Sequence, residues 1–452
     1  MKKLLERIRT FSDSWLALLL ALGFALRLLY LRATPFQTRG HDIDGHIEYI
    51  EYLLKHHALP KNDAGFSFYH PGLYFILAAL QWKVLEALHA ARGAILVSLQ
   101  VQSVVWELGY AALAVAAGRL WIRELPEDGF GQGLMSRRAI TTLYAVLVVL
   151  WPSTMMHSVR IGNDDLVYLF FGASFYFTTK WWFDGRDRDL TLAAVSAAFG
   201  VVTKTNALVL FVILAILIAV RLALVEKERR PLAFVQRGWV TVGLGVLSFG
   251  VALGTAVRDA IAGTRPSVLI GNSVSTKLLV GNRAENYLWF DVPTFVSHAF
   301  MNPWGDAEGR QWFWNYLLKS ALSGEFRFDS IPVWNIAVCV SIVFLFLLAY
   351  VVGGLLAGEG GGRVRWLPVT LTAAVLVASL AALRARHPNA CSNDFRYILP
   401  VLTPFLLGYV YAITEFWRRG WKKLAARGAM LGWLFAGLSV ALIVAIGTIK
   451  NP

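Results

Sequence analysis

Charge is scarce in this sequence. Asp, Glu, Lys and Arg make up 16% of 452 residues, against 57% hydrophobic, where a soluble domain carries about a quarter charged residues. That shortfall excludes a water-soluble globular protein of ordinary make-up. Cysteine is scarcer still. The two present, Cys339 in an apolar run and Cys391 in a polar stretch, are too few for a disulfide framework. Glycine-rich phosphate loops of the Rossmann or P-loop kind are absent. No polar stretch offers room for a separate nucleotide-binding domain: the longest, 259–330, has about 70 residues, near the lower limit for an independent fold. Short alternating segments of a membrane barrel are missing. So is a regular internal repeat of the kind seen in transporters built from duplicated halves.

What is present is a series of apolar runs of roughly 18 residues or more, each long enough to cross a bilayer as a helix. The expected class is an all-α polytopic membrane protein with about 11–13 transmembrane helices. The net charge of +14 is no sign of nucleic-acid binding, because the basic residues cluster between apolar runs, as the positive-inside bias requires. Lys2, Lys3, Arg7 and Arg9 precede the first run, 15–31, which reads as an uncleaved helix. The basic stretches 119–138, 181–188, 223–238, 357–365 and 418–427 then fall inside. The stretches 33–70, 158–164, 259–330 and 384–396 fall outside. Residues 71–118 must make a net inward crossing, by one pass plus a re-entrant or surface hairpin, or by three short passes. Three parts follow: a catalytic transmembrane module, 1–258, whose first outer loop is 33–70; an outer segment, 259–330; and C-terminal helices, 331–452.

The remaining polar residues gather in four clusters. The first, His41-Asp42-Ile43-Asp44-Gly45-His46, lies just past the first span. Ionisable groups at a bilayer edge are costly unless they act. A lone Asp there would suit a helix N-terminus, but two carboxylates with two imidazoles point to function. Ile43, Ile47, Ile50 and Leu54 recur at helical spacing, with Asp44, Glu48, Glu51 and Lys55 on another face. This predicts an amphipathic surface helix ended near Pro60. The second cluster, Tyr69-His70-Pro71-Gly72, opens the next apolar run. The third, His157 to Asp165, joins two spans, with Asn163 or Asp164 placed to cap the following helix. The fourth, Cys391 to Pro400, brings Arg396 to the membrane edge among aromatic neighbours, either to meet an anion or to snorkel. The topology puts all four on one face, where converging acids and bases suit a charged lipid headgroup. Aromatics are dense in 287–316, among them Tyr287, Trp289, Trp304, Trp312 and Trp314. They fit an interfacial belt or stacking on sugar faces.

The order of these clusters resembles the GT-C class of glycosyltransferases, above all the bacterial protein O-mannosyltransferases, the aminoarabinose transferases and the wider family-39-like group. The residues that carry the resemblance run over most of the chain. They are Asp44-Gly45-His46-Ile47-Glu48-Tyr49-Ile50 in the first outer loop, Pro71-Gly72-Leu73-Tyr74 at the place of a Pro-Pro-Leu-Tyr motif, Asn163-Asp164-Asp165, Lys204-Thr205-Asn206, the stretch from Trp314-Asn315-Tyr316 to Gly324-Glu325-Phe326, and Arg396-Tyr397-Ile398-Leu399-Pro400. There are two departures. Gly45 stands where the family's acidic pair has its second member, so either Asp42 or Asp44 is the functional acid, with Asp44 preferred from its distance to Tyr49. His70 stands where aminoarabinose transferases have a phosphate-binding Lys, a role it fills only if phosphate raises its pKa.

The resemblance implies a GT-C-type fold and a polyprenyl-phosphate-linked sugar as donor. It also implies transfer on the outer face of a bacterial inner membrane. A departing phosphate needs no general acid. The reaction needs a base for the acceptor hydroxyl and cations on the leaving group. Asp44 is expected as base, with Asp42 as its alternate. Arg396, His70 and Arg160 are expected on the donor phosphate, and Asp164, Asn163, Tyr69, Tyr397 and Glu48 on substrate. A single displacement would invert the anomeric centre. No metal is expected; the alternative is Mg or Mn on His41, Asp42, Asp44 and His46. The expected partners are the donor lipid, membrane lipids and an acceptor protein, lipid or polysaccharide, with no nucleic acid. The competing readings are a lipid-linked-sugar flippase or transporter, which would use charges within the membrane such as Glu107 and Lys204, and a ligase that moves a whole glycan.

Overall fold

The structure, a computed structural model, describes residues 2–38, 40, 42–61, 65–224, 231–262, 279–297, 311–324, 326, 328–358, 364–389 and 391–449. His41, Trp304 and Glu325 lie outside them. Regular structure among the described residues is helical, apart from one isolated antiparallel bridge between Leu279 and Asn389.

Helix α1 (Lys2–Ala33) leads into the first loop, and α2 (Ile43–His56) follows. The helix forms where the apolar period predicts it. Ile43, Ile47 and Ile50 are buried, while Asp44, Glu48 and Glu51 face outward. It stops four residues short of Pro60, because His57 turns left-handed (φ 51°) and gives its N–H to the Leu53 carbonyl at 2.9 Å. Helix α3 (Leu73–Ala87) carries Phe75, which stacks on Tyr49 with ring centres 3.9 Å apart. At 1.5 Å per residue α3 is only about 22 Å long, too short to cross upright. The next helix, α4 (Arg92–Arg123), has 32 residues and crosses. Residues 71–118 therefore make one crossing preceded by a short helix, the first of the two arrangements expected.

Among the described residues eight helical stretches are long and apolar enough to span a membrane: Ser14–Ala33, Arg92–Arg123, Arg137–His157, Thr205–Ala223, Ile331–Ala357, Leu367–Arg386, Phe395–Arg418 and Lys422–Thr448. Within them lie α5 (Arg137–Val149), α6 (Pro152–His157), most of α9 (Val209–Leu224), α14 (Ile331–Ala357), α15 (Leu367–Arg386), α16 (Leu402–Arg418) and α17 (Lys422–Thr448). Three further helices run alongside: α7 (Asp164–Asp184), α8 (Asp187–Thr203) and α10 (Pro231–Ile261).

Ion pairs at both ends show that α7 and α8 form a full-length hairpin. Lys204, just past α8, pairs with Asp164 at the start of α7, and Lys180 pairs with Asp189 at 3.1 Å at the far end. At that far end Trp182 donates to the Arg365 carbonyl (3.1 Å), and Arg365 pairs with Glu124 beyond the end of α4. Helix α10 is tied near its end to the first loop, Arg258 donating to the Pro60 carbonyl at 3.0 Å. Helices α7, α8 and α10 lie where the sequence places three further crossings, and they are not among those eight. The short helices α11 (Ala284–Leu288), α12 (Val292–Ser297) and α13 (Phe313–Ser323) precede α14.

Deep in the bundle Arg27 of α1 and Glu107 of α4 form an ion pair of 2.5 Å with both side chains buried. Arg27 also donates to the carbonyls of Gly23 (3.0 Å) and Val149 (3.1 Å). Removing one partner strands a buried charge, whereas removing both does not. Glu107→Leu is expected to lower stability by about 3–5 kcal/mol. Arg27→Met combined with it should recover most of the loss, read as thermal midpoints in detergent.

Candidate active site

The four polar clusters meet at one end of the bundle, opposite the end where Glu124 and Arg365 pair. The fourth cluster supplies the framework. Asp394 accepts from the Arg396 N–H (2.9 Å) and so starts a 3-10 segment, Phe395–Val401, which kinks at Ile398 and runs into α16. Tyr168 of α7 donates to the Arg396 carbonyl at 2.5 Å, and Asn206 donates to the Tyr397 carbonyl at 3.3 Å. The segment is thereby fixed with the Arg396 guanidinium pointing at the first loop. Arg396 is only 6% exposed. Its Nη2 lies 3.4 Å from Asp42 Oδ2 and 3.4 Å from the Tyr397 hydroxyl, and its Nε lies 3.7 Å from Asp394.

A second ion pair, Asp164 with Lys204, lies beside the first. The chain leaves α8 in an extended conformation at Lys204 (φ −157°), which turns that side chain away from the helix axis. Its ammonium sits 5.4 Å from the Tyr397 ring centre, and the Arg396 guanidinium sits 5.1 Å from the same ring. Tyr397 thus separates two cations, each faced by a carboxylate.

Two histidines line the junction. His46 of α2 places Nδ1 2.8 Å from the Ile161 carbonyl, joining the first loop to the third cluster. The approach needs Gly162: a Cβ there would lie 2.9 Å from His46 Nδ1. Burial pulls the His46 pKa down to about 4, opposed by the Ile161 hydrogen bond and the Asp42 charge. The ring is therefore neutral near pH 7. Facing a carbonyl, which only accepts, Nδ1 carries the proton. His70 lies edge-on to His46 with ring centres 5.9 Å apart, and against Tyr69 at 4.1 Å. Desolvation first, and then the Lys204 charge, hold the His70 pKa well below its usual value. His70 thus stands as a neutral imidazole, with the Lys204 cation close enough to act on it.

The His46 shift fixes a pH dependence. The unfolded chain takes up a proton near pH 6.5 and the folded ring near pH 4, so the unfolded state holds more protons between those values. Stability is therefore lost as pH falls through that window, by about 3 kcal/mol in all. The thermal midpoint of the wild-type chain should fall more steeply from pH 6.5 to 4 than that of His46→Asn. Parallel curves would mean that His46 does not carry the shift.

The other expected site residues are placed as follows. Asp44 and Glu48 sit on the exposed face of α2, apart from the ion pairs. With Asp42, Gly45 and Phe66 they border an open depression of about 520 Å3. Asp42 alone joins this depression to Arg396. Arg160 is buried, its guanidinium 6.0 Å over Phe326, and its charge reaches His46. Asn163 is fully buried and donates to the Thr203 carbonyl at 3.2 Å. It ties the turn to α8 and makes no side-chain cap bond. The sequence reading gave no role to Asp394 or Tyr168, and placed Lys204 only in a motif and in the flippase reading. Asp394 had a usable signal, an Asx residue two places before an Arg at a helix start. Lys204 and Tyr168 act across 40 and 228 residues of chain, which spacing does not reveal. Among the described residues no group of three or more His, Cys, Asp and Glu is placed to hold a metal ion.

No protein-family model matches this chain, and no curated protein sequence matches it. Its structure is similar to solved structures of two other proteins. One is ArnT from Cupriavidus metallidurans bound to undecaprenyl phosphate (TM-score 0.42, 10% identity, covering 92% of this chain and 79% of that one). Another is the oligosaccharyltransferase AglB from Archaeoglobus fulgidus in complex with an inhibitory peptide and a dolichol-phosphate (TM-score 0.44, 11% identity). That match covers 98% of this chain and 57% of AglB, so the chain spans little more than half of AglB's length. At these values the likeness is one of helix arrangement and transfers no residue roles.

Proposed function

We propose that this protein is a membrane glycosyltransferase that moves a sugar from a polyprenyl-phosphate-linked donor to an acceptor hydroxyl at the end of the bundle opposite its basic turns. The observation that carries the reading is the pairing of Asp42 with Arg396 and of Asp164 with Lys204 around Tyr397, beside an open depression. Two cations suit a departing phosphate monoester, and guanidinium adds paired donors. The acceptor oxygen attacks the anomeric carbon, the bond from that carbon to the phosphate oxygen breaks, and polyprenyl phosphate leaves on Arg396 and Lys204. The acceptor proton passes to a carboxylate. Asp42 takes that role over Asp44, because Asp42 borders both the depression and the cation. One displacement inverts the anomeric centre. The basic turns then face the cytoplasm, and the site faces the outside of a bacterial inner membrane.

The flippase reading asks for charge that works within the membrane. Arg27 and Glu107 are the buried pair there, and they are bonded to each other. Purified protein supplied with a polyprenyl-phosphate sugar and an acceptor extract decides between the two. Sugar transfer supports the proposal, and lipid translocation without transfer sinks it. Because Asp42 and Asp164 are each engaged by a cation rather than grouped for a metal, transfer should persist in excess chelator. Loss restored by Mg or Mn would replace the cation assignment with a metal.

A further inference from the structure

A second cavity lies on the other side of the 3-10 segment. It is a groove of about 910 Å3, with α14 and α15 as its walls and α16 as its floor. Val351, Ala373 and Phe405 mark those three surfaces. Phe395 and Ile398 close one end, so the segment that presents Arg396 and Tyr397 to the site presents alternate residues to the groove. The polar lining gathers at the opposite, basic end, in Glu124, Arg365, Glu415 and Arg418.

We propose that this groove seats an anionic phospholipid from the leaflet at the basic end, with its phosphate on Arg365 and Arg418 and its acyl chains lying along α16 toward Phe395 and Ile398. Charge argues for that occupant. At the basic end Arg365, Arg418 and Arg419 stand against two carboxylates, Glu124 and Glu415, and Lys422 follows, 5.5 Å over Trp417. Guanidiniums bind phosphate through paired donors, and basic pockets between transmembrane helices take anionic headgroups. A donor tail would place its phosphate at the other end, where the groove is lined by Trp314, Leu317, Phe395 and Ile398. The phospholipid therefore backs the segment that carries Arg396. The assignment holds whatever reaction the site performs.

Mass spectrometry of lipids retained by the full chain through extended detergent washing tests this. The wild-type chain should keep an anionic phospholipid, and Arg365→Gln with Arg418→Gln should cut its retention about tenfold or more. Ala373→Phe fills the groove, leaves the charges in place and should also expel the lipid, with its thermal midpoint unchanged. Equal retention by all three chains overturns the proposal. So does a polyprenyl lipid as the species lost from Ala373→Phe, or no retained lipid in the wild-type chain.

Discussion

Arg396→Gln is expected to lower the turnover rate for sugar transfer by about 100- to 1,000-fold, the usual cost of removing one preorganised donor from a developing negative charge. The guanidinium is held from three sides, by Asp42, by Asp394 and by the Tyr397 hydroxyl. It is therefore aimed before substrate arrives. Its removal also takes a cation from beside the Asp394 carboxylate, which is fully buried. Stability should fall by about 3–5 kcal/mol. Arg396→Lys separates the two effects. The ammonium keeps the charge beside Asp394 and loses the paired donors, so the chain should fold while turnover stays depressed. Full turnover in Arg396→Lys would show that the site needs only a point charge there.

Asp42→Asn should cut turnover by about 100- to 10,000-fold, the range for loss of a positioned general base, with little change in KM. Asp44→Asn should stay close to wild type. Asp42 has φ 66°, a left-handed conformation that Asn accepts more readily than almost any other residue. The substitution therefore removes the charge and keeps the backbone. In the resting protein Asp42 is neutralised by Arg396. A donor phosphate competing for the same guanidinium would release the carboxylate toward the acceptor, so the base becomes available when the donor is in place. A reversed result, with Asp44→Asn inactive and Asp42→Asn active, would return the base to the exposed face of α2.

The sequence carried much of this in its periodicities. The apolar repeat at Ile43, Ile47 and Ile50 located α2 and its buried face. The same repeat already set Asp44 in phase with Glu48 and Glu51, on the face that proves exposed. The convergence of the four polar clusters at one end followed from alternating apolar runs and basic turns. What spacing left hidden were partners from distant segments: Lys204 for Asp164, Asn206 and Tyr168 for the 395–401 backbone, and Glu107 for Arg27. The charged ends of α7 and α8 bond one another, Asp164 with Lys204 and Lys180 with Asp189.

The bond between Asp42 and Arg396 closes a loop of 354 residues. Its order of formation follows the direction of synthesis. The carboxylate emerges with the first loop, and its cation arrives only after α15 has been made. Through most of translation the nascent chain exposes an acidic surface loop without the residue that gives it purpose. A chain that stops before residue 394 would keep α1 to α15 and Lys204, and would lack Arg396, one of the two cations of the site. On the proposed reaction, the C-terminal helices thus decide whether the first loop meets its guanidinium.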